Sequence, residues 1–312
     1  MVHSLAITVR EYIHEELRLI PNIIRDQANQ NIEPLEIEGE VIAVGAGDSY
    51  AAALTAQYLS GFKVIAADPL DFLNSVKSSP KTLIAISVKG KTIEVVQAAK
   101  KVKELGGRVL ALTANEGSPL AQVADKVVKI VYLGGKLPAG IGNFISTITA
   151  IATLLDHKIK NEEILQLIKE NPPAPNIPEK GDLITVGEGL GLVSALFSCL
   201  KINEFLCRRC YVDKLEQFLH APIFTLSKND KVYLFLEKSM NKGNILKDIL
   251  RNLGYNYVIA PVHRDPFVSL IYQITWFLKG LATYCGDNDV KQPCFVTRRE
   301  LLRYSTPAIY RG

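Results

Sequence analysis

The stretch VIAVGAGDSYAAALTAQYLSG (41–61) reads as an apolar strand, a glycine-rich turn and a helix of small residues. Its shape returns in LITVGEGLGLVSAL (183–196), which matches VIAVGAGDSYAAAL (41–54) at the second-position Ile, the Val-Gly-x-Gly turn and the closing Ala-Leu. Around the first copy, KVIAADP (63–69) is a second strand and DFLNSV begins a short helix. TLIAISVKGKTIEVVQAAKKVKELGG (82–107) repeats strand, polar turn, helix and glycine stop. RVLALTANEGSPLAQVADKVVKIV (108–131) adds a strand, a Ser-Pro-led helix and another strand. Around the second copy, KVYLFLEKSMNKGNILKDILRNLG (231–254) and YNYVIAPV (255–262) echo the same order. Short apolar strands alternating with helices predict an α/β chain whose parallel sheets are covered on both faces. A repeat offset of 142 residues, from 41 to 183, is a duplicated domain and not a solenoid.

The domain boundaries follow. Ile13, Leu17, Leu19-Ile20 and Ile23-Ile24 recur at helical spacing, so 1–35 reads as one or two amphipathic helices. A first α/β domain is expected over 36–170, with a helix at 143–157 and another near 161–170. The proline-rich NPPAPNIPEKGD (171–182) cannot continue a helix or a central strand and is expected as a linker. A second domain with a C-terminal tail fills 183–312.

Of the 312 residues, 48% are apolar and 22% charged, with a formal charge of +4, which is ordinary for a globular protein with a real core. The basic residues are scattered among acids along helices, so a nucleic-acid partner is not expected. No apolar run reaches the length of a membrane span, and the acid-bearing N-terminus does not read as a signal peptide. Five cysteines, an odd count, fit a reducing cytoplasm better than a disulfide framework. Cys207 and Cys210 have CxxC spacing but no second ligand pair nearby, so no metal is expected. They fall inside a helical pattern and are expected as buried thiols, with a disulfide only in a hyperthermophile.

The chemistry converges on KINEFLCRRCYVDKLEQFLHAP (201–222). Lys201 and Glu204 share one helix face, and His220 stands where the helical pattern ends before Ala221-Pro222. A carboxylate, an amine and an imidazole can move protons on and off carbon and oxygen near neutral pH. A surface Lys-Glu pair beside an unrelated loop histidine is the alternative. Two turns of the first half suit an anion at a helix N-terminus. Gly45-Ala46-Gly47-Asp48-Ser49 lets backbone approach closely, and Ser87-Val88-Lys89-Gly90-Lys91-Thr92 offers two hydroxyls and two amines. Simple N-caps would explain any one hydroxyl. A dinucleotide site, with Asp68 on a ribose, is the rival, but Tyr50 replaces the third glycine of that fingerprint. Gly187-Glu188-Gly189 carries an acid and no early hydroxyl, and is expected to be a poor anion site.

On these residues the sequence resembles the sugar isomerase (SIS) family in its double-domain form, over about 38–298. Gly47-Asp48-Ser49-Tyr50 is similar to that family's first phosphate turn and Ser87–Thr92 to its Ser/Thr-rich loop. The spacing of Lys201, Glu204 and His220-Ala221-Pro222 is similar to the isomerase domain of glucosamine-6-phosphate synthases. The Glu-to-His spacing also resembles archaeal phosphoglucose/phosphomannose isomerases. PFVSLIYQITWFLKGL (266–281) followed by Asp289–Pro293 is similar to the synthase's closing helix and tail.

The resemblance implies two tandem SIS domains, doubly wound and flavodoxin-like, and aldose–ketose isomerisation of a hexose or amino-hexose 6-phosphate with no cofactor. His220 would open the ring, Glu204 would carry the proton between C1 and C2, and Lys201 would steady developing charge. Gly47, Asp48, Ser49, Ser87, Lys89 and Thr92 would grip the phosphate. In the family the histidine commonly reaches into the partner's pocket, so a homodimer with shared sites is implied. Three departures stand out. Arg298 occupies the place of the synthase's closing lysine, and an arginine cannot form a Schiff base. Val88 and Lys89 replace polar Gln and Ser, and GGKLPAGIGNFIST (134–147) lacks the arginine of the bifunctional isomerases. No glutaminase domain precedes residue 41, so glutamine-dependent transfer is not expected of this chain alone. A glucosamine-6-phosphate deaminase and a non-catalytic sugar-phosphate sensor remain the alternatives.

Overall fold

The computed structural model describes residues 7–131, 140–170, 172–237 and 241–310. The chain divides into two compact units. One comprises Ile20–Gly134, Gly140–Asn161 and Glu300–Gly312, and the other Met1–Leu19, Gly135–Ala139 and Glu162–Arg299.

The described residues open on an amphipathic helix, α1 (Val9–Ala28). In the first unit the elements then alternate: β1 (Val41–Val44), α2 (Asp48–Leu59), β2 (Val64–Ala67), α3 (Pro69–Ser75), β3 (Thr82–Ile86), α4 (Ile93–Glu104), β4 (Arg108–Thr113), α5 (Pro119–Val123), β5 (Lys126–Lys129) and α6 (Ile141–Leu154). The five strands are parallel in the order β2-β1-β3-β4-β5. Residues alternate across the sheet. Val44, Leu83, Ala85, Val109 and Ala111 pack with Phe72 of α3, Val95, Val96 and Val102 of α4 and Leu120 of α5. The opposite set, Val41, Ala43, Ile84, Ile86, Leu110 and Leu112, is also buried. Burial on both faces is why β3 reads as an unbroken apolar run.

The second unit holds α7 (Asn161–Glu170), β6 (Leu183–Gly187), α8 (Leu190–Leu206), β7 (Cys210–Lys214), α9 (Leu215–His220), a 3-10 turn (Pro222–Thr225), β8 (Lys231–Phe235), α10 (Asn241–Asn252), β9 (Asn256–Ile259), α11 (Pro266–Asp287) and α12 (Cys294–Thr297). Its four parallel strands run β7-β6-β8-β9, the order of the first four strands of the other sheet. The strand order 2-1-3-4 is that of doubly wound, flavodoxin-like sheets. Ile184, Val186, Val232 and Leu234 pack with Leu215 and Phe218 of α9 and Leu246 and Leu250 of α10. On the other face, Thr185 donates its hydroxyl to Ala195 O of α8, and Tyr233 and Phe235 stack edge-on against Phe277 and Trp276 of α11. α13 (Arg299–Ile309) closes the chain, its residues from Glu300 onward grouped with the five-stranded unit. No helix among the described residues is long and apolar enough to cross a membrane.

The proline-rich 172–182 has no helix or strand, yet it is pinned. Trp276 Nε1 donates to Pro173 O and the Tyr233 hydroxyl to Asn176 O, each at 2.9 Å. Two expectations are corrected. The helical reading of 201–220 breaks at Cys207, a left-handed C-cap with φ of 52°, and Cys210–Lys214 is an edge strand, half-buried at Cys210 and Asp213 and exposed at Tyr211, Val212 and Lys214. Nor are all the cysteines buried thiols. Cys207, exposed once the helix has ended, is disulfide-bonded to Cys294 across a Cα–Cα distance of 5.1 Å. Cys199, Cys210 and Cys285 are free. The partners are 87 residues apart in sequence, so CxxC spacing pointed to the wrong neighbour. The stretch 134–139, part of the loop read above for a missing arginine, lies outside the described residues.

Candidate functional site

In an open parallel sheet, ligands sit past the carboxyl ends of the strands where strand order reverses. In the five-stranded sheet that point lies between β1 and β3. The turn after β1 reaches α2 through Gly47, the N-cap, with φ of 59° and ψ of −126°. Among the described residues, a Cβ there would meet nothing within 4 Å. Asp48 is the first residue of α2. Ser49 lies in its first turn, half-buried, and does not cap it; its backbone N–H bonds Ala46 O at 3.1 Å.

The turn after β3 brings Ser87 and Thr92 together, hydroxyl to hydroxyl, at 3.0 Å. Both are buried. Thr92 occupies the N-cap of α4, but its hydroxyl faces Ser87 and not the helix amides, so the cap explanation does not account for it. The Thr113 hydroxyl donates to Val88 O at 3.0 Å and tethers the loop, whose Lys89 is exposed. Near the C-terminus, Tyr310 forms an antiparallel backbone bridge with Thr92. Asp68, the ribose candidate of the dinucleotide reading, is the N-cap of α3, accepting from Leu70 N at 2.8 Å and Asp71 N at 3.3 Å. Its carboxylate is engaged in helix capping.

The matching turn of the four-stranded sheet has the same backbone. Gly189 caps α8 with φ of 53° and ψ of −131°. Here the space is filled: Glu237 Oε1 accepts from Leu190 N at 2.8 Å, and a Cβ on Gly189 would lie 2.0 Å from that oxygen. Glu188 in turn accepts from Glu237 N at 2.9 Å. Burial pushes the Glu188 carboxyl above its ordinary range against the bond from Glu237 N, and the Glu237 charge adds to the rise. The helix N-terminus that would attract an anion is occupied by the chain's own carboxylate. Sequence reading missed Glu237. The available signal was an acid just past β8, where the first copy carries Ser87 and Val88 past β3.

Lys201 and Glu204 meet on the last turns of α8. Lys201 Nζ donates to Glu204 Oε2 at 2.7 Å, with the lysine side chain 0% and the glutamate 34% exposed. The ammonium also lies 5.0 Å from the centre of the Phe197 ring. The result is a carboxylate held from below by a sealed cation and open to solvent on its other side. Glu204 stands fourteen residues beyond Leu190, or about 21 Å along the helix axis. It is therefore far from the carboxyl ends of its own sheet.

His220, 71% exposed, ends α9, and its Nε2 lies 3.4 Å from Glu216 Oε1. Lys242 also pairs with Glu216. Because α8 covers the Thr185 face and α9 the Ile184 face, one copy of the chain cannot bring Glu204 and His220 together. Arg298 caps α12 and is exposed.

The comparisons with known proteins agree with this architecture. Residues 35–157 match the SIS domain model. The glutamine–fructose-6-phosphate aminotransferase (isomerizing) of Sulfolobus acidocaldarius is 24% identical over 279 residues, covering 77% of this chain and 44% of that protein. The chain thus spans somewhat under half the length of this relative. Among solved structures, a glucosamine-6-phosphate deaminase from Thermotoga maritima superposes with a TM-score of 0.69 at 17% identity, covering 88% of this chain and 95% of that one. Tagatose-6-phosphate ketose/aldose isomerase from Escherichia coli gives a TM-score of 0.68 at 17% identity, covering 90% and 95%. These structural likenesses are likenesses of fold. The identification rests on the sequence match, which makes residues 35–157 a SIS domain.

Proposed function

We propose that this chain is a phosphosugar isomerase that interconverts the aldose and ketose forms of a hexose or amino-hexose 6-phosphate. The observation that carries the reading is the Lys201–Glu204 pair, a carboxylate fixed by a buried ammonium while one side stays open. Glu204 takes a proton from one of C1 and C2 and returns it to the other through an enediol, work suited to a carboxylate partly shielded from water. Lys201, sealed in the interior, acts through Glu204: it is a positioning residue that keeps the carboxylate charged and aimed. The sugar's phosphate is assigned to the turns of Gly47, Asp48 and Ser49 and of Ser87, Lys89 and Thr92, with Arg298 as a further cation. Amides at two uncapped helix N-termini, hydroxyls and Lys89 are the groups that attract a phosphate ester.

The opposite placement of His220 and Glu204 supports a homodimer in which His220 of a second copy opens the ring over Glu204. Residues 183–298 are read as a second SIS-type domain that has given up anion binding to Glu237. The relatives favour an amino-sugar substrate: the Sulfolobus protein is an isomerizing aminotransferase of fructose 6-phosphate, and the Thermotoga protein a glucosamine-6-phosphate deaminase. The test is a coupled assay with fructose 6-phosphate, glucose 6-phosphate and glucosamine 6-phosphate, with ammonia release followed in parallel. Isomerisation without ammonia supports the reading. Ammonia release makes the chain a deaminase. Binding with no turnover of any of the three makes it a sensor.

A further inference from the structure

The disulfide lies beside the proposed chemistry. Cys207 is the C-cap of α8, the helix that carries Glu204 one turn earlier. Cys294 opens α12, whose C-cap is Arg298. The bond therefore joins the Glu204 end of α8 directly to the segment that presents Arg298.

Little else holds that segment. α12 packs against α8 but buries none of its residues. Among the described residues, no side chain from Phe295 to Arg298 hydrogen-bonds outside 294–298; the Thr297 hydroxyl donates to Cys294 O at 2.8 Å. A short, exposed helix with no buried residue has a small free energy of local opening unless it is tied down.

The chemistry of the cysteines is divided. Cys285 is buried and its thiol pushed up to about 12 by that burial. Burial, with the neighbouring Cys199, pushes the Cys210 thiol far above its ordinary range. These groups stay protonated and are poor attackers. Cys207 is exposed, so the disulfide is the sulfur site that an outside thiol can reach. Exposed disulfides are the reducible ones.

We propose that the Cys207–Cys294 disulfide is a redox-operated clasp, which holds Arg298 at the Glu204 end of α8 when oxidised and releases it when an external dithiol reduces it. One thiolate of the dithiol attacks the disulfide, forming a mixed disulfide and freeing one cysteine. Its second thiol then closes the reductant's own ring and frees the other cysteine. Two electrons and two protons pass to Cys207 and Cys294, and the dithiol leaves as a disulfide. The clasp's effect on activity rests on the isomerase reading of Glu204 and Arg298; its effect on the segment's mobility does not.

The test uses the full chain, oxidised and after treatment with dithiothreitol. Alkylation in denaturant followed by mass measurement is expected to mark three of the five cysteines before reduction and five after. Five marks without reductant overturn the clasp. Amide exchange at 295–298 is expected to rise about tenfold on reduction as local opening becomes easier. With fructose 6-phosphate, KM is expected to rise about tenfold while kcat stays within about twofold, the pattern of lost ground-state binding. Cys294→Ser should match the reduced wild type in both readouts without reductant, with Cys207→Ser as the second variant if the first does not fold. Faster exchange with no turnover in either state leaves the clasp standing and removes the isomerase reading. Unchanged exchange and unchanged KM on full reduction overturn the clasp and leave the isomerase reading intact.

Discussion

Glu204 and His220 stand on opposite faces of one four-stranded sheet. Glu204 rides α8, bound to the Thr185 face through the Thr185–Ala195 hydrogen bond, while His220 ends α9, whose Leu215 and Phe218 pack on Ile184 and Val186. A side chain cannot reach through a packed sheet. Chemistry that needs both groups therefore needs two copies of the chain, and this relationship governs how the proposed site can be dissected.

Glu204→Gln keeps the shape of the side chain and its bond from Lys201 but removes the base. The expected result is a fall in kcat of about 10²–10⁴-fold with KM little changed. Steady-state kinetics on purified protein checks it; full turnover would remove Glu204 from the mechanism.

Lys201→Met replaces a buried ammonium by an apolar chain of similar length. Glu204, one-third exposed, can rehydrate, so a stability loss of about 1–3 kcal/mol is expected, less than for a fully sealed pair. Because Lys201 acts through Glu204, kcat should drop and KM should hold. A rise in KM alone would mean that the lysine touches substrate.

Ser87→Ala breaks the hydroxyl pair with Thr92. Loss of one charge-assisted bond to phosphate is expected to weaken sugar-phosphate binding by about ten- to a hundredfold. Calorimetric titration with fructose 6-phosphate reads this directly, and unaltered affinity would place the phosphate elsewhere.

Glu188 supplies a pH prediction. Its carboxyl is pushed up by burial and by Glu237, so the group favours the fold when protonated. That contribution is complete below the ordinary glutamate range and is lost as pH rises through the elevated folded value. Glu188→Gln keeps the acceptor for Glu237 N, and is expected to raise the unfolding midpoint at pH 7 and to leave it unchanged near pH 3. Thermal unfolding at the two pH values decides; equal shifts at both would show that charge is not the cause.

What was legible in the sequence follows from where each element sits. β1, β3, β4, β6 and β8 are interior strands, so each is mostly apolar, with polar residues at strand ends and at Thr185 in β6. β7 is an edge strand of mixed residues, CYVDK, and merged with the helical pattern around it. The Lys201–Glu204 contact was legible because helical spacing alone brings such residues together. The Glu237–Leu190 bond, the Cys207–Cys294 pairing and the separation of Glu204 from His220 were not. Each depends on where a distant segment crosses the sheet, which local pattern does not encode.

The central claim is tested most directly by mixing two inactive variants, Glu204→Gln and His220→Ala, denaturing them together and refolding. With random pairing, half of the dimers combine one subunit of each kind, and each of these regains one intact site of two, so about a quarter of wild-type turnover is expected. Turnover no greater than the sum of the two variants alone would contradict a site shared between copies.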